Sequence, residues 1–237
     1  MHFWIELVVS RPFLLLYAIV VTLSLVKYKK YFDTPLGFLP VLLMYTLLTE
    51  ILGWITLTNP DWSLLLREYY YNNNWIIYNI YAIIFFLYFG YVYHQYLRSR
   101  LQRKLVLAGL SAYVAAVIIN LFFEDFTTQT QLYSYAVGGA LMVMAAGCYL
   151  HQELQNPETQ GTRRRNLLLW LSAGIAVFYA GYVPIKFIRA FIASIQAVQS
   201  EWIKGMHLGL IYFMYGCFLV GLMLMGRMKK PQMKSTV

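Results

Sequence analysis

Charge is what this sequence has least of. Only 12% of its 237 residues are Asp, Glu, Lys or Arg, against 60% apolar. Soluble domains carry about 25% charged residues, so an ordinary water-facing surface is excluded. Cysteine is nearly absent too. Cys148 and Cys217 both fall inside apolar stretches, which excludes a framework of extracellular disulfides and leaves both as small packing residues. No gap between apolar stretches is long enough to fold alone. The longest, 151–166, is far below the roughly 50 residues of a small domain, so no separate catalytic or nucleotide-binding module fits within the sequence. Enzyme signatures are missing as well: there is no His-Glu-x-x-His and no Gly-x-Ser-x-Gly. A retinal-binding lysine is expected near the middle of the last apolar stretch, where Tyr212-Phe213-Met214-Tyr215-Gly216 stands instead. No cofactor is expected. No metal is expected either, because His94 and His151 fall at helix ends a membrane thickness from His207.

What the sequence does have is seven long apolar stretches, at 12–26, 37–57, 75–96, 105–123, 132–150, 167–188 and 205–226. Most reach the roughly 20 residues that cross a hydrocarbon layer about 30 Å thick. The fold class expected is therefore all-α: one domain, a polytopic membrane bundle of seven transmembrane helices. The first stretch has no basic region before it, and its positive cluster follows it, so it reads as an uncleaved helix rather than a signal peptide. Fourteen of the 19 Lys and Arg residues fall in alternate gaps and the tail: Lys27, Lys29 and Lys30; Arg98, Arg100, Arg103 and Lys104; Arg163, Arg164 and Arg165; Arg227, Lys229, Lys230 and Lys234. Positive-inside bias then places the amino terminus outside and the carboxyl terminus in the cytoplasm of a plasma (inner) membrane. The formal net charge of +9 lies mostly on that inner side, where anionic lipid attracts it. The partner this predicts is the bilayer, not nucleic acid.

Helix packing and loops can be read in outline. Gly138, Gly139, Ala140, Ala145, Ala146 and Gly147 in the fifth stretch face Ala173, Gly174, Ala176, Ala180 and Gly181 in the sixth; small residues let transmembrane backbones approach, so these two helices are expected to pack tightly. Pro184 should break the hydrogen-bond ladder near the outer end of the sixth. Between the second and third stretches, Asn59-Pro60-Asp61 opens a short helix that Asn72-Asn73-Asn74 closes. Phe191, Ile195, Val198 and Trp202 recur at helical spacing, forming an amphipathic segment that lies in the interface or extends the sixth helix.

Ionisable groups inside a membrane are costly and mark candidate sites. Glu50 lies roughly 10 Å inside the outer end of the second helix at 1.5 Å per residue. Asn79, Asn120, Lys186 and His207 fall at similar depth on four other helices, while the inner halves read as nearly pure Leu, Ile, Val, Phe, Met and Ala. Tyrosines are abundant at the same outer depth; Tyr78 and Tyr212 are the expected lining residues, a ring with a hydroxyl being suited to a ligand cavity. A polar cluster on one side only is what an outward-facing pocket requires, whereas conduction needs polar groups through the whole depth.

Three short motifs, Asn74-Trp75-Ile76-Ile77-Tyr78-Asn79-Ile80-Tyr81, Thr130-Gln131-Leu132-Tyr133-Ser134-Tyr135 and Phe178-Tyr179-Ala180-Gly181, resemble a group of uncharacterised bacterial seven-helix integral membrane proteins. That resemblance implies an architecture and no mechanism. More loosely, the layout is similar to bacterial seven-transmembrane sensor modules, which normally carry a cytoplasmic output domain; none is expected from these stretches. The expected function is thus a ligand-binding or sensory membrane protein with an outward pocket for a small molecule, whose output passes to a separate cytoplasmic or membrane signalling partner. The alternatives are a small-solute transporter and, further off, a membrane-disrupting effector.

Overall fold

A computed structural model describes residues 12–58, 75–127, 129–156, 163–194 and 201–228. Within them are seven α-helices: α1 Phe13–Val26, α2 Leu39–Thr58, α3 Trp75–Tyr96, α4 Arg100–Asn120, α5 Leu132–Gln155, α6 Leu167–Ser194 and α7 Glu201–Leu224. No strand occurs among the described residues. The apolar segments of α2 to α7 are long enough to cross a membrane. The described part of α1, 14 residues, covers about 21 Å. The molecule is a multi-pass helical membrane bundle.

The helix limits differ from the hydropathy stretches where chain chemistry outweighs hydropathy. α4 begins at Arg100, not at 105, because Ser99 is extended and frees the first turn to coil; Arg100, Arg103 and Lys104 are thus helical rather than loop residues. α2 is preceded by a 3₁₀ turn, Pro35–Phe38, whose start Thr34 caps by accepting from the Leu36 N–H at 3.3 Å. α6 does not stop at 188. Pro184 removes one rung of the ladder, yet a single helix runs on to Ser194, as neighbouring helices allow in membranes. Of the amphipathic segment, residues 191–194 continue α6 and Trp202 lies in α7; residues 195–200, like the short helix and asparagine turn expected at 59–74 and the tail from Lys229, lie outside the described residues.

Six helices close a ring in the order α7–α1–α2–α3–α5–α6, and α4 packs outside it against α3 and α5. The peripheral place of α4 is visible in its burial: Val106, Tyr113 and Asn120, seven residues apart, form its one buried stripe. The ring encloses an aromatic core in which Phe85 and Phe86 of α3 meet Tyr179 of α6 and Phe89 packs against Phe85. α5 and α6 pack closely, as expected from their small residues: a Cβ on Gly139 would lie 2.4 Å from Val183. The same device recurs between α6 and α7, where a Cβ on Gly174 would stand 3.0 Å from the Met214 carbonyl oxygen.

Candidate functional site

The helix ends separate into two kinds, and the basic one is firmly tied. The Met228 N–H donates to the Lys30 carbonyl at 2.9 Å, and the Gly226 N–H to the Arg165 carbonyl at 3.1 Å. Lys30 Nζ donates to the Met225 carbonyl at 3.1 Å. Arg163 donates to the carbonyls of Glu153, Leu154 and Asn156, a cation capping the C-terminal carbonyls of α5. Glu153 is buried beside it, 3.5 Å from Arg98 and within hydrogen-bond reach of Asn166. Gln152 completes the end of α3, accepting from the Arg98 N–H at 2.6 Å and donating to the Tyr96 carbonyl. Nearby, the Tyr31 hydroxyl donates to the Ser24 carbonyl at 2.7 Å, and burial pushes this phenol well above its usual range.

At the other end of the bundle, two of the sequence-predicted polar residues organise the α4–α5 connection. Asn79 of α3 donates from Nδ2 to the carbonyls of Phe126 and Gln129 at 2.9 and 2.8 Å, and its Oδ1 faces the Gln131 N–H at 3.4 Å. Asn120 donates from Nδ2 to Glu124 Oε2 at 2.7 Å and to Gln131 Oε1 at 3.0 Å. The same Glu124 oxygen accepts from the Leu132 N–H at 3.1 Å, at the start of α5. A side-chain amide has two N–H donors, so both amides are committed to protein partners. The cavity beside them, lined in part by Asn79, Gln131, Ser134 and Tyr135, has a volume of about 10 Å³. That is room for about one water, not for a ligand.

The other polar candidates meet around Tyr182. Lys186 donates from Nζ to Thr130 Oγ1 at 2.8 Å and sits 3.7 Å over the Tyr135 ring, a cation–π contact. Tyr135 packs edge-on against Tyr182 at 5.8 Å. Tyr182 in turn stacks on the His207 ring at 4.2 Å. Arg189 Nη2 lies 3.3 Å from His207 Nδ1, and Arg189 Nε is buried with no hydrogen-bond partner among the described residues. Glu50 is half-buried on α2, one turn from Thr46. Thr46 Oγ1 is 2.9 Å from the Tyr81 hydroxyl, and the Tyr17 ring packs 3.9 Å from that of Tyr215. Lys186 and His207 are thus gathered at Tyr182, and Glu50 and Tyr78 are half-buried on α2 and α3. Tyr212 is not: it is 37% exposed on the outer face of α7, beside Phe213.

Hydropathy hid several residues that matter here. Arg189 is not among the expected contacts, yet it bonds His207; Gln131, singled out only as part of a motif, is buried and ties Asn79 to Asn120. The expectation of an apolar half toward the basic end also needs correction. That half contains the Tyr93–Ser172 hydroxyl pair at 3.1 Å and the Asn166–Tyr149 bond at 2.9 Å. Tyrosine scores as nearly apolar, so its hydroxyl goes unseen in a hydropathy count. The signal that could have found them was the Tyr93, Tyr96 and Tyr149 set within otherwise aliphatic stretches.

Comparison with protein-family models, with curated proteins and with solved structures finds no match to this chain. The functional reading therefore rests on the geometry alone.

Proposed function

We propose that this is a ligand-binding or sensory protein of the plasma membrane, its amino terminus outside and its basic end in the cytoplasm. The ligand enters from the end opposite the basic loops. Glu50, Lys186 and His207 are its polar contacts, joined by Arg189, with Tyr78 and Tyr182 as aromatic lining. Asn79 and Asn120 hold the wall formed by the α4–α5 connection, and Tyr212 faces outward. One observation carries this reading: polar side chains of α6 and α7, costly in a membrane, meet at a single ring, His207 stacking on Tyr182 at 4.2 Å and Lys186 Nζ lying 6.0 Å over it. Output passes at the basic end, where hydrogen bonds join the ends of α1, α3, α5, α6 and α7, to a separate signalling partner.

The test is a thermal-shift screen of small molecules on the full-length protein in detergent. A hit whose stabilisation is lost in Glu50→Gln and in His207→Phe, with the same helical content, supports the reading. Stabilisation that survives both substitutions removes this site. A second reading, small-solute transport, is favoured by the Tyr93–Ser172 hydroxyl pair and the Asn166–Tyr149 bond, which put polar groups in the basic half of the bundle as well. Uptake of the hit into proteoliposomes would decide for it.

A further inference from the structure

The corner formed by Lys186, Arg189 and His207 has more hydrogen-bond donors than acceptors, and the surplus indicates the chemistry of its occupant. This rests on the ligand-binding reading above. Lys186 spends one of its three N–H groups on Thr130 and places its charge over Tyr135. Arg189 spends one on His207, and its Nε–H has no partner among the described residues. A guanidinium has no lone pair to offer, so in the Arg189–His207 bond the ring nitrogen Nδ1 accepts. The imidazole is then neutral with its proton on Nε2, on the side of the ring turned away from Arg189, and its stacking on Tyr182 lets it hold the guanidinium in place.

Acids act on this corner only from a distance. Glu124 influences Lys186 and Glu50 influences Tyr182, but Glu124 already accepts from Asn120 and the Leu132 N–H. Among the described residues, no carboxylate lies within ion-pair distance of Lys186 or Arg189. A buried charged donor without an acceptor is destabilising, and a bound acceptor relieves it. We propose that this corner binds an oxyanion, a carboxylate or a phosphate group, between Lys186 Nζ and Arg189 Nε of α6, with His207 holding the guanidinium in place. Phe178 and Tyr182 supply an apolar wall beside it. Directional donors on a planar guanidinium favour such a group over a spherical halide, and the permanent charge of that guanidinium disfavours a cationic ligand. Phe187, Ile188 and Phe191, exposed on the adjoining face of α6, put a lipid headgroup within reach as well as a soluble anion.

The experiment uses the full-length protein in phosphatidylcholine nanodiscs, titrated with inorganic phosphate and with acetate, and in matched discs containing phosphatidic acid. Binding is read by calorimetry and by the thermal midpoint, in the parent and in Arg189→Gln, Lys186→Met and His207→Phe, with Arg98→Gln as a control at the basic end. Loss of at least about tenfold in affinity, about 1.4 kcal/mol, is expected in the three corner variants and none in the control. That pattern with soluble phosphate or acetate identifies a free anion; the same pattern only in phosphatidic acid discs identifies a headgroup. No response to any probe, or one that the corner variants leave unchanged, overturns the proposal. His207→Phe keeps the stacked ring, so loss of binding there with an unchanged apo midpoint is not a folding defect. The two readings fail separately. Anion accumulation inside proteoliposomes would leave the site standing and replace sensing with transport. A neutral ligand sensitive to Glu50→Gln but not to Arg189→Gln would keep the sensor and remove the anion site.

Discussion

At the residue scale, the two buried asparagines illustrate how a polar side chain in a membrane is stabilised without a ligand. Asn79 faces three backbone groups of the α4–α5 connection, and each such bond within a membrane protein contributes about 0.6 kcal/mol. Asn79→Ala is therefore expected to cost about 1–2 kcal/mol, read as a lower thermal midpoint in detergent, and to expose the connection to protease near Phe126. A midpoint unchanged by the substitution would mean that the connection holds itself. Lys186 and Arg189 show the contrary case: their hydrogen bonds to Thr130 and His207 leave donors over.

At the element scale, two kinds of contact set the helix ends and spacings. Arg163 caps α5 through three carbonyls, so Arg163→Ala is expected to cost roughly 1 kcal/mol and to speed amide hydrogen exchange in the last turn of α5 ahead of its middle. Glycine effects should split by neighbour. A Cβ on Gly174 meets the Met214 backbone at 3.0 Å, whereas one on Gly147 meets nothing within 4 Å. Gly174→Ala is expected to destabilise by about 1–3 kcal/mol through overpacking, and Gly147→Ala to stabilise by up to about 1 kcal/mol through helix propensity. Equal midpoint shifts for the two would show that α6 and α7 separate freely.

At the scale of the whole molecule, the ring of six helices brings the basic segments to one end, and the orientation we propose follows from their sign. In a cysteine-free background, a cysteine at exposed Thr127 should react with a membrane-impermeant maleimide in intact cells, while one at exposed Ser99 should react only after permeabilisation. The reverse labelling would invert the bundle and turn the Tyr182 site toward the cytoplasm.

The sequence by itself determined that this chain is a helical membrane bundle, because hydropathy and charge are local sums that survive without neighbours. It also placed Glu50, Lys186 and His207 at one depth, since depth follows from counting residues along a helix. Rotation about the helix axis is not a matter of counting. Whether Tyr212 faces the bundle or the lipid, whether Asn120 meets a ligand or Glu124, and whether Arg189 is a rim cation or the partner of His207 depend on which helices are adjacent. Those adjacencies came from close approaches such as Gly174 to Met214 and from α4 lying outside the ring. The tertiary structure alone decided them, because each joins residues that the sequence keeps far apart.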